Sequence, residues 1–203
     1  MTLRQAIFAR MYRRAPSVDA LPWHRESPPA LLVQAAAGRR RGDRCLDVGC
    51  GEGVNATYLA EQGLRVLGID FVPAALAAAR ERASRAGVEV ELHDGDVLDY
   101  VAPTPVDLVV DSGCLHHIPK AAVGRYRARL DQWLAPGGDY VLVHFANPPR
   151  VRWLPKGPSH LTRERAVELF APLQLRAYDE VVYDVAFPMG SMRAGVYWFT
   201  RPA

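Results

Sequence analysis

The distribution of apolar and polar positions along the chain reads as strand, turn and helix in alternation. Cys45-Leu46-Asp47-Val48 is a short apolar run that ends in glycines, and residues 53–62 then read as a helix closed by Gly63. A second strand runs from Leu64 to Ile69 and stops at Asp70; an alanine-rich helix follows from Pro73 to about Arg85, with proline suited to its first turn. Gly87 ends that helix and Val88–Leu92 is the third strand. Val106–Val110 is apolar throughout, as expected of a parallel strand covered on both faces. A helix over Pro119–Leu134 is stopped by Ala135-Pro136-Gly137-Gly138, and Tyr140–Phe145 is the fifth strand. Thr162 caps a helix that reaches Phe170. Two β-rich stretches, Leu173–Val185 and Ala194–Arg201, leave no room for a helix between them and predict an antiparallel hairpin. Ahead of this core, Leu3, Ile7 and Met11 fall at near-helical spacing, with Phe8 and Tyr12 beside them, which predicts an amphipathic helix packed on the core or over a site.

The order βαβαβ, βαβ, αββ predicts an α/β fold, a doubly wound, mostly parallel seven-stranded sheet with a C-terminal antiparallel hairpin. At 203 residues, with 49% hydrophobic and 23% charged residues, the chain suits one soluble domain, with residues 1–40 as an entry segment or lid. No apolar run approaches the ~18 residues of a membrane span. The start carries four arginines within Met1–Arg14 and no apolar signal core. Three cysteines, Cys45, Cys50 and Cys114, form no CxxC pair and no zinc set, so no metal is expected and a reducing cytoplasm is. Residues 1–44 hold nine Arg against Asp19, Glu26 and Asp43, but the basic residues are dispersed and lack interleaved aromatics. Neither a nucleic acid nor a membrane is therefore an expected partner. A monomer or homodimer acting on a small molecule is.

The candidate chemistry begins at Leu46-Asp47-Val48-Gly49-Cys50-Gly51-Glu52-Gly53, a glycine loop that follows a strand and opens a helix. Such a loop lets backbone approach a ligand closely. Asp47 and Glu52 flank it and would repel a pyrophosphate while attracting an ammonium or sulfonium, which points to a cationic nucleoside without phosphates. Asp70 ends the next strand about 20 residues on, the spacing of an acid that accepts from a ribose diol. Asp96, in Gly95-Asp96-Val97, follows the third strand and could accept from an adenine amino group. The fourth strand leads into Asp111-Ser112-Gly113-Cys114-Leu115-His116-His117-Ile118-Pro119, where a substrate would sit beyond the strand ends. Asp111 should face the reacting centre, and His116 and His117 are candidate proton acceptors of which one is expected to reach it.

These motifs, with Leu134-Ala135-Pro136-Gly137-Gly138, resemble the class I S-adenosylmethionine-dependent methyltransferases over roughly residues 40–145. The resemblance implies that Gly49, Cys50 and Gly51 hold the methionine portion, supported by Asp47. It further implies that Asp70 and the neighbouring Phe71 hold the ribose side, and that Asp96 and Val97 lie near adenine. Asp111 would lie near the methyl group. Pro22-Trp23 followed by Pro28-Pro29-Ala30-Leu31, and Gly157-Pro158-Ser159-His160-Leu161-Thr162, look like segments of the thiol, thiopurine and halide methyltransferases, in which the tryptophan closes over the cofactor. Trp153, His160, Tyr183, Phe187, Met189 and Met192 are candidates for an apolar acceptor pocket. The expected activity is methyl transfer to a small molecule, with a thiol as the favoured acceptor. A protein of the same fold that uses the cofactor for another reaction is the alternative. Asn147-Pro148-Pro149-Arg150 follows the fifth strand and reads as a turn, so no motif for gripping a flipped base follows the fourth.

Overall fold

The computed structural model describes residues 3–146, 159–185 and 190–203. Strands β1 (Arg44–Val48), β2 (Arg65–Asp70), β3 (Glu91–Asp94), β4 (Val106–Ser112), β5 (Leu134–Phe145), β6 (Gln174–Val185) and β7 (Gly190–Thr200) form one sheet in the order β3-β2-β1-β4-β5-β7-β6. The first five are parallel, and β7 pairs antiparallel with both β5 and β6. The hairpin forms because no helix separates β6 from β7, so the chain has no crossover with which to return parallel.

Helices α2 (Ala30–Ala37), α3 (Val54–Glu61), α4 (Pro73–Ala86), α5 (Val123–Trp133) and α6 (Arg163–Phe170) cover the sheet. Leu32, Ala35, Ala56 and Leu59 pack with Val66, Leu108 and Val110 on one face. Tyr126, Leu130, Trp133 and Phe170 pack with Val109, Tyr140 and Phe199 on the other. Side chains of this size contribute about 1.5–3 kcal/mol each by leaving water. Asp139 at the start of the straight part of β5 is fully buried; it is paired with Arg39 and accepts from the Thr200 hydroxyl at 2.5 Å.

Three sequence expectations need correction. Helix α2 is not among the expected elements; its buried Leu31, Leu32, Ala35 and Ala36 lie within the entry segment. Strand β3 forms at Glu91–Asp94, later than Val88–Leu92, because it is a short sheet edge whose exposed side tolerates charge. In α1 (Leu3–Arg14), Ile7 is 50% exposed while Phe8 and Tyr12 turn inward, so the packed stripe is rotated by about one residue. Thr162 does cap α6, its side chain accepting from Arg165 N–H. No helix among the described residues is long and apolar enough to cross a membrane.

Candidate active site

The carboxyl ends of the parallel strands β1 to β5 lie along one edge of the sheet, where α1 meets the segments after β1, β2 and β4 through Tyr12 and Phe8. After β1, Gly49 has φ +69°, and a Cβ there would come within 2.8 Å of the Cys114 Cβ, so the glycine loop lies directly against the exit of β4. Gly51 has φ +54°, and the position its Cβ would occupy is 3.3 Å from the Tyr12 hydroxyl. Cys50 donates its N–H to the Ile69 carbonyl at 2.9 Å, and its thiol is tucked against Gly68.

Asp47 is 1% exposed, and its Oδ2 has no hydrogen-bond partner among the described residues. Burial, then the nearby charges of Asp111 and Asp70, push its carboxyl up to about 7. Glu52 is also raised by burial; its Oε1 is 2.5 Å from His24 Nδ1, while its Oε2 is buried without a partner. Asp70 accepts from Gly51 N–H at 3.0 Å and from Val72 N–H at 2.9 Å. The Phe71 N–H also acts on this carboxylate, and the acceptor capacity that remains is open to a ligand hydroxyl. Asp96 Oδ1 accepts from Leu98 N–H at 2.9 Å beside the buried Val97, which leaves Oδ2 for a ligand. Phe71 is half-buried next to Phe8, whose ring also meets Trp23 at 5.3 Å and His117 at 4.9 Å.

Asp111 lies differently from the expectation that it faces a reacting centre. It is fully buried, and its oxygens accept from Gly113, Cys114 and Leu115 N–H and from the Tyr126 hydroxyl at 2.5 Å. It organises the turn that carries the histidines rather than presenting an open carboxylate. Burial raises it to about 6, against the pull of these donors.

His116 and His117 diverge, as adjacent residues should. His117 turns to Phe8, and His116 stacks on Phe145 at 4.4 Å with an interplanar angle of 24°. His116 Nδ1 is buried without a partner among the described residues, and burial drives the ring well below its usual pKa. His144 on β5 lies 5.6 Å from His116, ring to ring. Its Nδ1 donates to the Phe145 carbonyl at 3.0 Å, which leaves Nε2 as an acceptor 3.4 Å from the Ser159 hydroxyl. Burial lowers His144 to about 4.

His144, His24 and Ser159 also belong to the site and are not among the residues expected from the sequence. His144 signals itself there only as a polar residue near the end of the apolar run of β5, Ser159 lies inside the 157–162 segment, and His24 follows Trp23. Met192 is buried, and His160 is exposed. Trp153, Phe187, Met189 and the Asn147–Arg150 turn lie outside the described residues, as does the side chain of Tyr183. No group of His, Cys, Asp and Glu among the described residues could hold a metal ion.

A family model described as a methyltransferase domain matches residues 45–138. A 2-heptyl-1-hydroxyquinolin-4(1H)-one methyltransferase of Mycobacteroides abscessus is 31% identical over 156 residues, 72% of this chain and 68% of that one. A ribosomal RNA small subunit methyltransferase C of Alcanivorax borkumensis is 33% identical over 137 residues, 65% of this chain and 42% of that one. The chain spans about half the length of most of the curated relatives it matches. Among solved structures, the 1,6-didemethyltoxoflavin-N1-methyltransferase of Burkholderia thailandensis superposes with a TM-score of 0.74 at 24% identity. The match covers 98% of this chain and 88% of that one, a likeness of fold.

Proposed function

The chain belongs to the S-adenosylmethionine-dependent methyltransferases, and from that premise we propose that it methylates a small-molecule acceptor at a soft, readily ionised atom, a thiol first. One observation carries the reading. Asp47 is a buried carboxylate with an unpartnered oxygen at the root of a glycine loop; the charged groups acting on it, Asp111 and Asp70, are acids, and against them stands one backbone N–H, that of Ala56. A carboxylate left in this state is costly. An ammonium offsets that cost and a diphosphate worsens it, so the loop fits S-adenosylmethionine and opposes a nicotinamide dinucleotide.

S-adenosylmethionine, when bound, supplies a methyl group already activated on a sulfonium. This chain's residues then hold and orient. Asp47 and the backbone of Gly49, Cys50 and Gly51 receive the amino-acid end. Asp70 accepts from the ribose hydroxyls, and Phe71, Val97 and Asp96 bound the base. Trp23, Phe8 and His117 exclude water from above. Asp111 fixes the 113–115 turn and so aims His116.

The histidines select the acceptor. Both His116 and His144 are held neutral and weakly basic by burial. A weak base deprotonates only an acceptor that ionises easily. A thiol with a pKa of ~8.5 is about 30-fold more ionised at neutral pH than a phenol with a pKa of ~10. The Pro22-Trp23 and 157–162 segments, with their likeness to thiol, thiopurine and halide methyltransferases, support the same choice. A second reading, a hydroxyl on an aromatic ring, is favoured by the rings of Phe8, His117, His116 and Phe145 at the mouth of the site. The name of the quinolinone-acting relative adds to it. The ribosomal RNA relative shares less of its length, and the basic residues here are dispersed.

Incubation with S-adenosylmethionine and a panel of thiols, halides, amines and phenols, read by mass spectrometry, tests this. The expected result is a methylated thiol with stoichiometric S-adenosylhomocysteine. Cofactor consumption without a methylated product overturns the proposed reaction. Methylation of phenols alone selects the second reading.

A further inference from the structure

One serine stands between the two imidazoles that burial keeps neutral. Ser159 donates its N–H to the His116 carbonyl at 2.8 Å. Its hydroxyl lies 3.2 Å from the same carbonyl and 3.4 Å from His144 Nε2. Two residues on, Leu161 N–H donates to the Phe145 carbonyl at 2.8 Å, so the segment from 159 to 161 ties the turn after β4 to the end of β5. That turn, Leu115–His117, is a three-residue 3-10 helix whose bonds use the Cys114 and Leu115 carbonyls. The His116 carbonyl finds its donors outside the turn, in Ser159. Asp111 therefore fixes the start of the turn, and Ser159 fixes its end.

The serine hydroxyl has one hydrogen for two acceptors. The His116 carbonyl already holds the Ser159 N–H. His144 is 2% exposed and its Nδ1 donates to the Phe145 carbonyl, which makes Nε2 a buried acceptor that is costly to leave unfilled. The hydroxyl hydrogen therefore belongs to His144. The two imidazoles then differ in kind. Both ring nitrogens of His144 are engaged, whereas His116, stacked on Phe145, keeps a buried Nδ1 without a partner among the described residues.

We propose that Ser159 is a positioning residue that divides the work of the two histidines: it caps Nε2 of His144 and fixes the main chain of His116, so that the acceptor meets His116 and not His144. The inference rests on the reading of the histidines as the residues that select the acceptor, and it assigns that selection to one of them. Ser159 acts through both rings.

The test is Ser159→Ala in the full chain, with Ser159→Thr as the variant that keeps a hydroxyl. Ser159 is exposed, so neither substitution opens the core, and the thermal midpoint checks that both fold. Long-range 1H–15N NMR without ligand follows each imidazole from pH 4 to 8. A hydroxyl that donates to Nε2 favours the neutral ring, so its loss should move the His144 titration up by about half to one pH unit, and Ser159→Thr should restore it. The titratable groups that bear on His144 are His116, 5.6 Å away ring to ring, and His160, and neither substitution changes them. With the acceptor identified from the panel of thiols, halides, amines and phenols, kcat of Ser159→Ala should fall about 10-fold at constant KM for S-adenosylmethionine, and Ser159→Thr should recover it. An unmoved His144 titration overturns the cap. A kcat that holds or rises in Ser159→Ala overturns the division of work, as does a loss carried by KM for S-adenosylmethionine. A wild-type chain inactive on the whole panel overturns the proposed function instead, and the imidazole titration still decides the cap.

Discussion

Asp47 links stability, binding and pH in a single group. Its carboxyl is raised by burial to about 7, against ~3.9 for a free aspartate. Between those values the folded chain holds a proton that the unfolded chain has released. Its stabilising contribution is therefore fully present below about pH 3.9 and is lost as pH rises through about 7. The loss is ~1.4 kcal/mol per unit, or about 4 kcal/mol over the window. A cationic ligand reverses the preference, since it needs the carboxylate ionised. Below pH 7, binding must expel the proton. Apparent affinity scales with the ionised fraction, about one half at pH 7 and one in a hundred at pH 5. S-adenosylhomocysteine affinity should thus fall about 50-fold across that range, or ~2 kcal/mol. The ligand's own amine, with a pKa near ~7.7, is still about four-fifths charged at pH 7 and changes the affinity by only about 1.2-fold across the range. Calorimetry at pH 5, 6 and 7 in buffers of different ionisation enthalpy measures both the affinity and the protons released. In Asp47→Asn the slope attributable to this residue should vanish. Affinity at pH 7 should drop about 10-fold, and the unliganded variant should melt higher at pH 7.5 than the wild type. Asp111, raised to about 6 and sealed beneath its turn, is coupled to Asp47 through its charge, so the slope lost in Asp47→Asn includes that coupling. A wild-type affinity that is flat from pH 5 to 7, or an unchanged slope in Asp47→Asn, would refute the claim that an ionised Asp47 meets the ligand.

Asp70→Ala should weaken cofactor binding by about 1–3 kcal/mol by calorimetry, since it removes charge-assisted acceptors and frees Gly51 N–H; unchanged affinity contradicts the ribose role. Asp139→Ala leaves Arg39 without its buried partner and should cost about 3–5 kcal/mol in denaturant unfolding; a loss below ~1 kcal/mol would mean that water reaches the guanidinium. Of His116→Ala and His117→Ala, only the first should lose turnover on an identified acceptor, because His117 packs on Phe8 while His116 Nδ1 is unpartnered; full rate in both excludes a histidine base.

The elements whose identity depends on nearest neighbours were readable from the chain. The apolar β4, the Thr162 cap and the β6-β7 hairpin each carry a local signature, and all three are present. Features set by remote partners were not. The inward face of α1 follows Trp23, Phe71 and His117, which its own periodicity cannot reveal. The helix α2 hides behind Pro28-Pro29, although Leu31, Leu32, Ala35 and Ala36 show a helical stripe once its register is known.

The site repeats this division at the level of single carboxylates. Asp47 and Asp111 both sit at the ends of adjacent apolar strands and look equivalent as sequence. In the sheet, Asp47 pairs with Val110 and Val48 pairs with Asp111. Residues paired across strands share a face, and successive residues alternate, so this offset of one residue sends the two acids to opposite sides. Asp111 arrives on the side of α5, where Tyr126 and three backbone N–H groups satisfy it. Asp47 shares a face with Gly68 and, one alternation on, with Asp70, on the side of the glycine loop, where its oxygen finds no donor. The acid that the fold satisfies shapes the turn bearing the histidines, and the acid that it leaves unsatisfied is the one with affinity for a cation to contribute. Position in the sequence places a carboxylate at the rim, and the parity of the register decides which of these two tasks it performs.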